Sequence, residues 1–129
     1  MRRAAGGLAA LVFAMCMRGG SGSAHAAEQI PPAATQEAQQ IFNSRCTMCH
    51  GAAGKGDGPA AAALKPQPRD LSDPAWQKSV TDQQIEQIIV GGGPAVGKSP
   101  LMPANADLRT KPDVVRALVV LVRNLGRTS

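Results

Sequence analysis

Residues 42–59 read FNSRCTMCHGAAGKGDGP, and this stretch decides how the rest of the chain is interpreted. Cys46, Cys49 and His50 stand at positions i, i+3 and i+4, a spacing that places three side chains on nearly one face of a helical turn. The other cysteine and the other histidine of the sequence lie in its first 26 residues. Beyond them, this cluster is the only place where thiols and an imidazole occur together.

The amino-terminal segment has the three parts of a secretory signal peptide. Arg2 and Arg3 precede an alanine-rich apolar run, and a small, polar stretch then ends in Ala24-His25-Ala26, which offers signal peptidase the small residues it requires. We expect cleavage after Ala26, which predicts a periplasmic protein. The apolar run is shorter than the roughly 20 residues of a transmembrane helix. A lipid anchor on Cys16 is disfavoured because the bulky Met15 precedes it.

Cleavage after residue 26 of 129 would leave 103 residues, enough for one small domain. We expect a flexible leader at 27–34 and a single domain at 35–129. The signal peptide contains three arginines, so the mature chain would carry 11 basic and 9 acidic residues, a net charge of +2. That charge, and the presence of only Phe42 and Trp76 as aromatic residues after residue 26, argue against a nucleic-acid partner.

The periodicity of apolar residues predicts three main helices. The first spans about residues 36–45, the second follows a capping box formed by Thr81 and Gln84, and the third runs from about residue 112 to 125. Residues 51–80 read as a long irregular loop with one short helical turn, and a second proline-rich loop follows the second helix. Loops of this length are uncommon in a compact domain unless they serve a function, such as wrapping a large rigid ligand.

The Cys46-x-x-Cys49-His50 spacing is the attachment signature of c-type haem. Two thiols so placed can add to the two vinyl groups of haem, and the adjacent histidine then reaches the iron. Three other interpretations are disfavoured. A structural zinc site needs four ligands, a thioredoxin-like dithiol belongs to a βαβ unit that the pattern lacks, and a plain disulfide leaves His50 without a role.

The chain resembles a small class I c-type cytochrome of the bacterial periplasm. The resemblance rests on CTMCHGAAGKGDGP, DQQIEQII, SPLMP and the last apolar helix. It implies an all-α cytochrome c fold, with three main helices and long loops wrapped around one haem c that is bound covalently through Cys46 and Cys49. It also implies that His50 and Met102 are the two axial ligands of the iron.

The same resemblance implies four further residues near the haem. The carbonyl of Pro59 would accept the N–H of the proximal imidazole, which fixes the histidine tautomer, and the amide of Asn105 would point at the sulfur of Met102. Trp76 and Arg69 would donate to the haem propionates. The alternative for these last two is that Trp76 is a core residue and Arg69 a solvated charge.

Residues 92–99 read GGPAVGKS and formally match the G-x-x-x-x-G-K-S pattern of a phosphate-binding loop. That motif requires a strand before it and a helix after it. Here a capped helix precedes it and PLMPAN follows. We therefore expect no nucleotide partner.

Histidine and methionine ligation would raise the haem potential and fill the coordination sphere. This predicts a one-electron carrier, not an enzyme, which meets its donor and acceptor redox proteins transiently and contacts membranes only through a partner complex. Two alternatives stay open: a haem c subunit of a larger dehydrogenase or oxidase, and a ligand-binding or catalytic cytochrome with a labile Met102. The sequence leaves two interpretations of Arg45, Lys55 and Lys98 open: a basic rim around the haem edge, or three solvated charges on loops.

Overall fold

The computed structural model describes residues 29–127, and all regular structure in that range is helical. The five α-helices are α1 (Pro32–Ile41), α2 (Thr47–His50), α3 (Pro74–Ser79), α4 (Asp82–Gly91) and α5 (Pro112–Leu125). Shorter helical turns are a π-helical turn at Phe42–Cys46 and 3-10 turns at Ala61–Ala63, Gly93–Val96 and Ala106–Thr110. The predicted all-α class is confirmed. The predicted signal peptide, residues 1–26, lies outside the described residues.

Helix α1 begins four residues earlier than the sequence pattern predicted. Pro31 is its N-cap and Pro32 its first residue, where the fixed φ of proline suits a helix and its missing N–H costs no hydrogen bond. Ala34 is already buried in the first turn, and Ile30 packs against the core. The expected flexible leader is therefore wrong for residues 32–34, because burial of this first turn makes it part of the domain.

The first helix does not stop at residue 45 but continues to His50 through the π-helical turn. In this turn the N–H of Thr47 donates to the carbonyl of Phe42, five residues earlier. The wider turn accommodates one more residue than an α-helical turn would. As a result, Phe42 stays in the core at 3% exposure while Cys46 is only partly buried.

The core is formed mainly where α1 packs on α5. Ala38 of α1 is 1% exposed and Leu118 of α5 2% exposed, and both belong to one buried hydrophobic cluster. The buried face of α5 consists of Val114, Val115, Ala117, Leu118, Val119 and Val122. Each fully buried aliphatic side chain of this kind contributes about 1.5–3 kcal/mol. This packing supports the segment that carries the cysteines.

The predicted irregular loop at 51–80 contains a helix that the sequence pattern did not reveal. Asp73 caps α3 by accepting a 2.8 Å hydrogen bond from the N–H of Ala75, and Pro74 occupies its first position. Gln77 then donates to the carbonyls of Leu71 and Val122. These bonds tie the loop to α5, so the polypeptide on the far side of His50 has a fixed path.

Helix α4 begins as predicted. Thr81 and Gln84 form both bonds of a capping box, and the helix ends at Gly91 within the predicted glycine run. Arg123 of α5 holds its start by donating to Asp82 and to the carbonyl of Val80. Within residues 29–127, no helix is long and apolar enough to cross a membrane.

Candidate haem site

The two cysteines and the histidine occupy one short stretch of helix. Cys46 ends the π-helical turn, and Cys49 and His50 end α2. All three side chains are partly buried, and both thiols are free. Burial raises the pKa of the Cys46 thiol, and the positive charge of Arg45 opposes this shift in part. The thiols are thus available for reaction on a rigid support.

His50 is held by a backbone carbonyl. Its Nδ1 atom lies 3.0 Å from the carbonyl oxygen of Arg69. Because a carbonyl can only accept, Nδ1 carries the hydrogen and Nε2 carries the lone pair that can bind a metal. Burial lowers the pKa of His50, while the bond to Arg69 opposes this shift. The neutral imidazole, which is the form that ligates metals, is therefore favoured.

The carbonyl that accepts from His50 is not the predicted one, that of Pro59. The chain around Pro59 is packed on the backbone of α2: Gly58 donates to the carbonyl of Cys49, and Ala60 donates to that of Met48. A Cβ atom on Gly58 would collide with the Met48 carbonyl. Pro59 itself is exposed. These contacts keep Pro59 at the end of α2. A later part of the loop supplies the carbonyl that accepts from His50.

That later part reaches His50 because the loop folds back on itself. The N–H of Leu71 donates to the carbonyl of Gly54 at 2.6 Å, and Gly56 packs directly against the carbonyl of Pro68. The N–H of Gly56 also donates to the carbonyl of His50 at 2.8 Å. These backbone contacts, together with the bond from Gln77 to the carbonyl of Leu71, position the Arg69 carbonyl, and the residue pattern did not reveal them.

Met102 lies in a turn that packs against the glycines after α4. The N–H of Gly93 donates to the carbonyl of Met102 at 2.9 Å, and the N–H of Met102 lies 3.3 Å from the carbonyl of Ser99. A Cβ atom on Gly92 would lie 2.7 Å from the Met102 oxygen, and one on Gly93 would collide with the carbonyl of Ser99. These glycines are needed for close packing against the Met102 turn.

The same geometry accounts for the phosphate-loop pattern at residues 92–99. Helix α4 precedes the pattern, a 3-10 turn occupies Gly93–Val96, and no strand occurs in residues 29–127. The N–H of Lys98 donates to the carbonyl of Gly93, which closes the turn internally. The glycines serve the Met102 turn, and the strand and helix that a phosphate-binding loop requires are missing from this part of the chain.

Asn105 connects the Met102 turn to α4. Its Nδ2 donates to the carbonyl of Ile89 at 2.8 Å, and its backbone N–H donates to the carbonyl of Val90 at 3.1 Å. Its Oδ1 accepts from Arg45 at 3.3 Å. These bonds connect the amide to α4 and to Arg45, and its contact with the sulfur of Met102 stays a prediction.

Trp76 and Arg69 occupy different environments. Trp76 is partly buried and packs against the hydrophobic core, which agrees with the core alternative. Arg69 is exposed, and its carbonyl is the group that contacts His50. Donation to haem propionates by either side chain stays a prediction.

Arg45, one of the three cations of the expected basic rim, forms an ion pair. One of its terminal nitrogens donates to both carboxylate oxygens of Asp107, at 3.0 and 3.1 Å. This bond raises the pKa of Arg45 and lowers that of Asp107. Lys55 and Lys98 are exposed and make no ion pair within residues 29–127. Docking of a partner at this rim stays a prediction.

The arrangement fits haem attachment and does not fit a protein-ligated metal site. Across residues 29–127, no three His, Cys, Asp or Glu side chains converge on one metal position. Two free thiols one turn apart and an imidazole of fixed tautomer are what attachment to haem and ligation of its iron require. The zinc alternative therefore gains no support from the geometry.

Comparison with known proteins gives the family. The model of the cytochrome c family matches residues 35–126. The chain belongs to the cytochrome c family. This membership implies a covalently bound haem c with its iron, and this cytochrome provides Cys46 and Cys49 of the C-x-x-C-H motif for the attachment.

One solved structure agrees with that membership. This cytochrome is similar to the KustC0563 c-type cytochrome, with 27% sequence identity and a TM-score of 0.50. The match covers 68% of this chain and 95% of the other. No curated protein sequence matches. The resemblance to class I c-type cytochromes and the cytochrome c fold are thereby confirmed, and the protein is a haem c electron-transfer protein.

Proposed function

We propose that this cytochrome is a one-electron carrier of the periplasm, with His50 and Met102 as the axial ligands of its haem iron. The observation that carries the proposal is the 3.0 Å contact between Nδ1 of His50 and the carbonyl of Arg69. It leaves Nε2 as the nitrogen with a free lone pair, and it makes that nitrogen more basic. A histidine fixed in this way is suited to permanent ligation of iron.

The chain's own residues would divide the work between two segments. Cys46 and Cys49 would hold the haem through thioethers, and His50 would ligate its iron. The Met102 turn, held by Gly93 and Asn105, would supply the Met102 sulfur as a second iron ligand. When bound, haem c supplies the one-electron redox chemistry. Two protein ligands would leave no coordination position for a substrate, which supports a carrier over an enzyme.

The sequence and the surface support a location for the protein and a class of partner. The signal-peptide pattern before residue 27 supports export to the periplasm. The donor and the acceptor would be redox proteins that bind transiently, with no nucleic acid or nucleotide involved. Lys55 and Lys98, exposed and without ion pairs in the described part of the chain, would face an acidic patch on a partner. Membrane contact would occur only through such a partner.

The absorption spectrum of the holoprotein tests this proposal. The ferric form should show the iron-to-methionine charge-transfer band, and the ferrous form should not bind carbon monoxide. Met102→Ala should abolish the band and allow carbon monoxide to bind. Met48→Ala is the matched control, since Met48 is 55% exposed between the two cysteines and should leave both properties unchanged. A band that persists in Met102→Ala would refute the ligand assignment.

Two further measurements test attachment and export. Acid and organic solvent should leave the haem on the chain, and Cys49→Ala should retain a single thioether to Cys46. Mass spectrometry of the exported protein should give Ala27 as the first residue. Extractable haem would contradict covalent attachment, and an acylated Cys16 would show a membrane anchor instead. Copurification with a dehydrogenase or an oxidase would favour the fixed-subunit alternative.

A further inference from the structure

We propose that Arg45 is a positioning residue that holds the Met102 turn against the segment carrying Cys46, Cys49 and His50. The inference rests on the proposed function, because it concerns the lability of Met102 as an axial ligand. It assigns to Arg45 a part in ligand retention, whereas the sequence pattern suggested only partner docking.

The first observation is the place of Arg45 and its partners in the chain. Arg45 directly precedes Cys46, so its backbone is fixed by the π-helical turn. Its partners Asn105 and Asp107 are 60 and 62 residues away and closely follow Met102. One guanidinium nitrogen donates to Oδ1 of Asn105 at 3.3 Å and to both carboxylate oxygens of Asp107. The side chain therefore bridges two segments that are distant in sequence.

The second observation is that the side chain of Arg45 supplies all the hydrogen bonds between these two segments in residues 29–127. Within residues 29–127, every hydrogen bond that joins residues 42–50 to residues 92–107 comes from the side chain of Arg45. The other bonds of the Met102 turn go to α4 or stay within the turn: Gly93 donates to Met102, and Asn105 donates to Ile89 and Val90. The turn is thus anchored to α4 directly and to the cysteine segment through Arg45.

The consequence concerns opening of the turn. For an external ligand to replace Met102, the turn must move away from the cysteine segment, and Asn105 and Asp107 lie close enough to Met102 in the chain to move with it. Arg45 would then lose its hydrogen bonds, so these bonds oppose opening. Arg45 and Asp107 are 43% and 49% exposed, and an exposed pair of this kind corresponds to about a twofold to fivefold change in an equilibrium constant.

Imidazole is the probe for this inference. It competes with methionine for ferric haem, and its apparent affinity for the holoprotein, read from loss of the charge-transfer band at one fixed pH, includes the equilibrium for opening the turn. Arg45→Gln and Asp107→Asn should each raise that affinity about twofold to fivefold. The double variant should show little further gain, because both changes remove the same bridge. If Arg45→Gln lowers the yield of holoprotein, the imidazole affinity of Asp107→Asn alone still tests the inference.

Lys78→Gln is the control for loss of one positive charge. Lys78 is an exposed residue of α3 and makes no ion pair within residues 29–127. Its replacement should leave the imidazole affinity unchanged. The inference is refuted if neither Arg45→Gln nor Asp107→Asn alters the affinity, or if Lys78→Gln raises it equally. A wild-type protein without the charge-transfer band would refute Met102 ligation itself, and the inference with it.

Discussion

The carbonyl oxygen of Arg69 lies 3.0 Å from Nδ1 of His50, across 19 residues of chain. The acceptor belongs to the backbone, so no side chain at position 69 is needed for the bond. What keeps the carbonyl in place is the path of the loop, in which Gly56 packs against the carbonyl of Pro68, the residue before Arg69. The orientation of the proposed ligand therefore depends on loop shape.

Gly56→Ala tests this dependence. Gly56 has a φ of +73°, and an added Cβ would collide with the carbonyl of Pro68, next to Arg69. We expect a loss of about 2–4 kcal/mol in the free energy of unfolding, from left-handed strain and overpacking together. We also expect the reduction potential to rise, because a displaced carbonyl leaves His50 less basic. Denaturant unfolding and redox titration of the holoprotein measure the two effects.

Gly97→Ala is the control for Gly56→Ala. Gly97 has a φ of +67°, but an added Cβ would meet no atom within 4 Å. It should cost only the conformational penalty, about 1–2 kcal/mol, and leave the potential unchanged. If both variants lose the same stability and neither shifts the potential, the loop does not orient His50 in the way described.

Leu118→Ala tests the packing of α5 on α1. Leu118 is 2% exposed, and its truncation leaves a cavity in the core that the helices can close only in part. The free energy of unfolding should fall by about 2–5 kcal/mol. Val120→Ala, on the same helix but at a side chain 47% exposed, should change it by less than about 0.5 kcal/mol. Equal losses would mean that α5 is not packed as observed.

Acid should destabilise the protein partly through Asp70. Hydrogen bonds from the Ser72 hydroxyl and N–H lower the pKa of this carboxyl in the folded state. The unfolded chain binds more protons there, so the contribution is present above an unfolded pKa of about 3.9 and is lost as the pH falls through the lower folded pKa. The denaturant midpoint should therefore fall less between pH 6 and pH 3 in Asp70→Asn than in the unmodified protein.

Asp57→Asn is the control for this pH dependence. Asp57 is exposed, and its side chain makes no hydrogen bond within residues 29–127. The midpoints of Asp57→Asn should follow those of the unmodified protein at every pH. An Asp70→Asn profile that coincides with both would show that the bonds to Ser72 do not stabilise the folded state.

Docking should depend on Lys55 and Lys98 and not on Arg45. With an acidic redox partner, the second-order electron-transfer rate should fall as salt rises, since screening acts over about 8 Å at physiological ionic strength. Lys55→Glu/Lys98→Glu should lower the rate at low salt and flatten its salt dependence. Lys78→Glu reverses a charge at an exposed residue of α3. It is the control and should change neither the rate nor its salt dependence. If the rate changes neither with salt nor in the Lys55→Glu/Lys98→Glu variant, an apolar contact with the partner is the better explanation.

The sequence predicts the elements whose causes are local. The capping box at Thr81 and the glycines that end α4 act within a few residues, and both are confirmed. The apolar stripe of α5 likewise requires only helical periodicity. Cys46, Cys49 and His50 share a helical stretch because of their spacing alone.

The parts that the sequence did not predict depend on contacts between distant residues. The acceptor for His50 is a carbonyl, which every residue possesses, so the identity of Arg69 carries no signal. The Arg45–Asp107 pair spans 62 residues, and no local pattern links such positions. The start of α1 at Pro32 is an exception. Proline at the first position of a helix is a local signal, but the expectation of a flexible leader at 27–34 outweighed it.

The π-helical turn at Phe42–Cys46 separates two requirements that a regular helix would couple. Each residue of an α-helix advances the side-chain direction by about 100°, so one residue accommodated in a wider turn changes the angular phase between α1 and α2. The side chains of α1 that pack on α5 can then suit the volume of the core. The direction in which the cysteines point toward a haem is set separately. With every residue kept, a regular α-helix here would rotate the attachment motif by about 100° relative to α1, whereas deletion of one residue would let a regular helix keep the observed direction. The π-helical turn therefore sets the direction of the cysteines relative to the buried face of α1.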